Sequence, residues 1–151
     1  MTPSLETLAA ELDEVQLPSF DYAIAWQIGA FIRGEAAARD LPIAIEVAHG
    51  AAPVFLAVMP GATPDNPDWT RRKRAVALRF HRSSLAMRLE CEHHAWDFSK
   101  RFRLQEADYA ASGGGVPIIV RGAGVVGTVA VSGLPDVDDH KLAVAALRSV
   151  M

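Results

Sequence analysis

Residues 113–150, GGGVPIIVRGAGVVGTVAVSGLPDVDDHKLAVAALRSV, carry the clearest structural signal in the chain. Two apolar runs rich in β-branched residues, Val116 to Arg121 and Val125 to Val131, flank the turn residues Gly122-Ala123-Gly124. That pattern predicts a strand hairpin. Ser132-Gly133-Leu134-Pro135 ends it, and the apolar spacing then becomes helical. Ala143, Ala146, Leu147 and Val150 share one face of a helix over about Val137 to Val150. Asp136 is placed to cap that helix, and Asp139 three residues on approximates a capping box.

Upstream, Ile43 to Ala48 and Val54 to Met59 are short and β-branched, with a turn at His49-Gly50-Ala51-Ala52. They predict a second hairpin. Before it lie two helices, one over residues 4–15 capped by Ser4, the other over about Asp21 to Arg39 with Ser19 as candidate cap. Pro42 marks the end of the second. Between the hairpins a long third helix is predicted from Pro67, capped by Asn66, to about Cys91. Short helices are expected near Trp96 to Phe102 and Glu106 to Ala111. The order is α-α-β-β-α-(α)-β-β-α. Paired hairpins with helices between them predict an α+β fold, a central antiparallel sheet flanked by helices.

The chain has 151 residues, which fits one domain, with residues 1–18 as a peripheral N-terminal helix and connector. A net charge of −3 gives no basic excess for nucleic-acid binding. No apolar run reaches the roughly 20 residues that a membrane helix needs. A single cysteine, Cys91, and no signal-peptide pattern point to a reducing compartment, so a cytoplasmic location is expected.

Candidate chemistry centres on the third helix. Trp69, Lys73, Val76, Phe80, Ser84 and Met87 fall on one stripe at about 100° per residue, with Ser83 beside it and Arg72 at its edge. Lys73 therefore sits in an apolar face, where a lysine must find a partner or lose its proton. It is either the anchor of an anion site or half of a structural ion pair. Arg71, Arg74 and Arg82 point away and read as a solvated face. Cys91, His93 and His94 match no metal-ligand spacing. His140, in the first turn of the last helix beside two aspartates, is a candidate proton acceptor or iron ligand. Gly113-Gly114-Gly115 either enters a strand tightly or offers backbone N–H groups to an anion.

Several of these segments resemble one family in the right order. Pro60-Gly61-Ala62-Thr63-Pro64-Asp65-Asn66, Trp69, Arg71-Arg72-Lys73-Arg74 and Ser83-Ser84 look like its central signature. Gly113 to Ile118, Gly127 to Pro135 and Asp139-His140 look like its C-terminal one. The family is a group of uncharacterised bacterial and fungal proteins within the haem-degrading-domain superfamily, alongside the GlcG, HbpS and PduO C-terminal proteins. The chain departs from the pattern at Ser112, where many members carry a histidine. The resemblance implies a profilin-like fold, a homo-oligomer (dimer or larger ring) and haem as a possible cofactor.

Candidate ligand-binding residues are thus Trp69, Arg72, Lys73, Ser83, Ser84, Gly114 and His140, with no metal site and no catalytic residue assigned. The leading expectation is an oligomeric domain binding a small anionic metabolite or a haem-like cofactor. The alternatives are an enzyme using Lys73 and His140 in acid–base chemistry, and an assembly protein whose first and third helices build subunit interfaces.

Overall fold

The computed structural model describes residues 1–151. Six helices and four strands follow in the order α1 (Leu5–Glu14), α2 (Tyr22–Arg39), β1 (Ala44–His49), β2 (Ala52–Val58), α3 (Asp65–Phe80), α4 (Ser84–His94), α5 (Phe98–Phe102), β3 (Gly115–Val120), β4 (Gly124–Ser132) and α6 (Asp136–Arg148). The sheet is antiparallel throughout, with strand order β2-β1-β4-β3. Each hairpin supplies two neighbouring strands, and β1 joins them by pairing with β4. The predicted α+β architecture holds, and the element order holds apart from one more helix between the hairpins.

Alternation along the strands assigns the two faces. Ile45, Val47, Phe55, Val116, Ile118, Val129 and Val131 belong to the main core with Ile28 and Ile32 of α2 and Ala143 and Leu147 of α6. Helix α3 covers the opposite face over β1, β4 and β3. The N-terminal segment is less peripheral than expected. Val15 and Leu17 join the main core, and Leu8 packs on Leu85 and Ala86 of α4. Leu17 also bonds along the outer edge of β3: its N–H donates to the Ile119 carbonyl at 2.8 Å, and the Arg121 N–H donates to its carbonyl at 3.0 Å.

The structure corrects several local expectations. The third helix does not run to Cys91. It stops at Phe80, where His81 turns left-handed (φ 54°), and α4 begins after Ser83, whose hydroxyl accepts from the Ala86 N–H at 3.1 Å. The apolar stripe concealed this break because Phe80 and Ser84 are four residues apart, so the helical spacing survives across it. Asp21, not Ser19, caps α2, accepting from the Ile24 N–H at 2.8 Å. Helix α3 starts at Asp65, and the Asn66 side chain instead accepts from the Thr63 N–H. Residues 106–111 form no helix. Arg74 is not solvated: with 14% of its side chain exposed, it pairs with Glu46, a buried carboxylate on the α3 side of β1.

Candidate functional site

Lys73 is on the third turn of α3, on the face turned to the sheet, with 4% of its side chain exposed. Its ammonium donates to Asp139 Oδ2 at 3.1 Å and to the Val131 carbonyl at 3.1 Å. Asp139 comes from the first turn of α6. Its carboxylate also accepts from the backbone N–H groups of Leu134 (3.0 Å) and Gly133 (3.3 Å). The last strand, the turn after it and two helices therefore converge on one buried ion pair.

Burial dominates the pair's titration. It pushes the Asp139 carboxyl up to about 6 against the opposing pull of Lys73 and the backbone donors. It also lowers Lys73 from its ordinary value, against the attraction of Asp139. Both groups are thus shifted towards their neutral forms.

A second carboxylate stands beside this pair. Asp136 accepts from the Arg88 Nε at 2.7 Å and Nη2 at 3.2 Å, and from the Gly113 N–H at 2.9 Å. Together these groups border an open depression of about 300 Å³ whose wall also includes Asn66, Trp69, Ser112 and Ser132. The lining is mostly polar. A lysine ammonium has three N–H donors. Two are committed here, which leaves one without a protein partner.

The glycine run has a packing role. Gly114 has φ +136°, and a Cβ there would collide with the Val131 carbonyl and crowd the Lys73 ammonium. A Cβ on Gly115 would strike the backbone of Lys73. Only glycine lets β3 and α3 approach this closely. The amides of the run are largely committed as well: Gly113 donates to Asp136, and Gly115 to the Ser84 hydroxyl at 2.9 Å. They do not form the free anion nest that the sequence allowed.

Of the predicted site residues, Trp69 and Lys73 line the depression, and Gly114 packs against the Lys73 side chain. Trp69 donates its indole N–H to Asp65 at 3.1 Å, and the Arg72 guanidinium stacks 4.0 Å over its ring while bonding Asp68. Ser83 caps α4 and Ser84 fastens the start of β3, so both are occupied elsewhere. His140 follows Asp139 in sequence but turns away. Its Nε2 lies 2.7 Å from Glu11 of α1, and its Nδ1 is buried without a partner. The expected combination of Lys73 with His140 in one cleft does not form.

Sequence reasoning missed Asp139 as Lys73's partner and missed Asn66, Ser112, Ser132 and Asp136 as lining. Asp139 was detectable. It shares the buried face of α6 with Leu142, Ala143 and Ala146, so it is an acid on an apolar stripe, just as Lys73 is a base on one.

A larger groove of about 370 Å³ lies between α2 and α6, bordered by Phe31, Glu35, Arg39, Lys141 and Leu142. It has no buried polar group converging on it, which leaves the Lys73–Asp139 depression as the candidate site.

A family model described as haem degrading protein HbpS-like matches residues 20–148. A UPF0303 protein of Azotobacter vinelandii is 44% identical over 147 residues, covering 97% of this chain and 89% of that protein. Among solved structures, the Ybr137w protein superposes with a TM-score of 0.88 at 29% identity, covering 99% of this chain and 88% of that one. A PduOC:heme complex superposes with a TM-score of 0.69 at 15% identity, covering 85% and 94% of the two chains. The chain belongs to the HbpS-like family.

Proposed function

We propose, with family membership as the premise, that this chain is a small-ligand-binding domain and that its ligand presents a carboxylate to Lys73. The observation that carries the reading is the buried ammonium with one N–H left to donate, at the floor of a polar depression. Serine hydroxyls, the Asn66 amide and the Trp69 ring offer the hydrogen bonds and the flat surface that orient a small polar molecule. No other cationic residue lines the depression, and the nearby Arg88 is held by Asp136 and Glu92.

Haem is the group that the family's description brings to mind, and the residues at this site do not fit its iron. Haem iron takes a His, Cys, Met or Tyr side chain, and none of the nine lining residues is one of these. His140, buried beside the site, is engaged by Glu11.

The charge balance sets a pH signature. With Asp139 ionised, its carboxylate competes with a ligand carboxylate for Lys73. As pH falls through about 6, Asp139 takes up its proton and the competition ends. Affinity for small carboxylates is expected to rise several-fold from about pH 7.5 to about pH 5. Calorimetric titration with acetate and succinate checks this. Lys73→Gln should abolish binding, and Asp139→Asn should remove the pH dependence. Binding that survives Lys73→Gln unchanged would refute the reading.

A second reading has one observation in its favour. A carboxyl near pH 6 beside a buried amine suits general acid–base catalysis. Conversion of a bound carboxylate over time, followed by NMR and lost in Asp139→Asn, would favour an enzyme.

A further inference from the structure

The charges around the depression do not match a simple carboxylate. Its lining holds one ammonium, Lys73, and two carboxylates, Asp136 and Asp139. Arg88 of α4 offsets Asp136, and Lys73 offsets Asp139. The wall is therefore close to neutral, and a ligand bearing only negative charge leaves it with an excess. Asp139 also competes with such a ligand for Lys73.

The two carboxylates are three residues apart in the first turn of α6, so they stand on one face of that helix. Each keeps an oxygen with accepting capacity. Asp139 Oδ2 takes the Lys73 ammonium and the Gly133 N–H, whereas its Oδ1 accepts only from the Leu134 N–H. Asp136 Oδ2 takes the Arg88 Nε–H and the Gly113 N–H, whereas its Oδ1 accepts only from Arg88 Nη2, at 3.2 Å. A carboxylate oxygen accepts at about two lone-pair sites, so each aspartate has one to spare.

Donors border the same space. Ser132, 4% exposed, ends β4 and lines the depression with a hydroxyl that has no partner in the chain. The Asn66 side-chain carbonyl is taken by the Thr63 N–H, and its amide N–H groups are left to donate. Lys73 and Asp139 are 3.1 Å apart. A ligand that meets both must therefore carry its own two charges close together.

We propose that the depression binds a small α-amino acid, with its carboxylate on Lys73 and Ser132 and its ammonium on Asp136 and Asp139. This rests on the reading of the depression as a carboxylate site that depends on Lys73, and it narrows the ligand to a zwitterion. One carbon joins the two charged groups of an α-amino acid, which suits the direct contact between Lys73 and Asp139. The ammonium turns Asp139 from a competitor into a partner, and a zwitterion adds no net charge to the wall. The volume of about 300 Å³ leaves room for a short side chain against Trp69 and Leu134.

Calorimetric titration of the full chain with alanine and with propionate, which is alanine without its amine, tests the proposal. At about pH 7.5 alanine should bind about tenfold or more tightly than propionate, because an ammonium on a carboxylate makes a charge-assisted hydrogen bond. 4-Aminobutyrate, whose charges lie far apart, should show no such advantage. The advantage of alanine should shrink as pH falls from about 7.5 to about 5.5, since Asp139 takes up its proton near 6 and loses the charge that holds the amine. The charged groups facing Asp139 are Lys73 from α3 and Asp136 from its own helix, while Arg88 is bonded to Asp136 and His140 to Glu11. Comparing two ligands at each pH cancels what pH does to Lys73. Asp136→Asn and Asp139→Asn should each reduce the ratio, and the comparison in wild type decides should either variant fail to fold. Propionate binding that Lys73→Gln abolishes, with alanine no tighter, overturns the amino-acid proposal and leaves the carboxylate site standing. Binding of neither ligand, or of both unchanged in Lys73→Gln, overturns both.

Discussion

At the scale of single residues, the α3 side of the sheet holds two buried ion pairs with different consequences. Asp139 takes its proton at about 6 when folded, against an ordinary value of 3.8. Between those values the folded chain binds the proton more readily than the unfolded one. Stability therefore falls as pH rises from about 4 to about 6, and the full cost persists above that. The contribution is on the order of 2–3 kcal/mol. Thermal unfolding of wild type minus Asp139→Asn across that window should show this slope, which the variant alone lacks. Glu46 and Arg74 form the second pair, and burial raises Glu46 despite the guanidinium beside it. Arg74→Leu strands a buried carboxylate and should cost about 3–5 kcal/mol, whereas Arg74→Leu combined with Glu46→Leu should recover most of it. Urea unfolding of the two single variants and the double variant checks the coupling. Arg74 was legible in the sequence only as one of four adjacent cations, because nothing local shows which of them meets a carboxylate 28 residues earlier.

Helices and strands were more legible than their ends. Both hairpins, the last helix and the cap at Ser4 could be read from spacing and turn residues, because those signals lie within a few residues of each other. The break between α3 and α4 could not, since the stripe passes through it in phase. Ser83 makes the break a true helix start. Ser83→Ala should destabilise the chain by about 1 kcal/mol, the usual value of an N-cap, and should not change the affinity for acetate. Denaturant unfolding beside a binding titration checks both halves of that statement. Half of the candidate site was legible in the same way. Lys73 stood out as a charge on an apolar stripe. Asp139 also sits on an apolar stripe, but an aspartate in a first turn reads equally as ordinary capping chemistry, and the two lie 66 residues apart.

Across the whole molecule, α1 is held to the last helix by the contact between Glu11 and the buried His140 ring, with Arg148 near Glu11 and Glu14. Glu11→Ala leaves both ring nitrogens without a partner and should cost about 1–3 kcal/mol. Hydrogen exchange should then quicken in residues 5–14 before it does in the strands. The strand order has a further consequence for how the chain is made. β1 and β4 lie side by side at the centre of the sheet, yet more than 70 residues separate them in the chain, and Leu17 must wait for Ile119. A ribosome releasing this chain delivers the first hairpin long before its central neighbour. That hairpin emerges with both edges bare, and β1 keeps an open side until β4 arrives. Translation speed between residues 59 and 124 thus sets how long the sticky β1 edge stays uncovered. Slow synthesis there, or truncation before residue 132, should send the nascent chain to chaperones or aggregates.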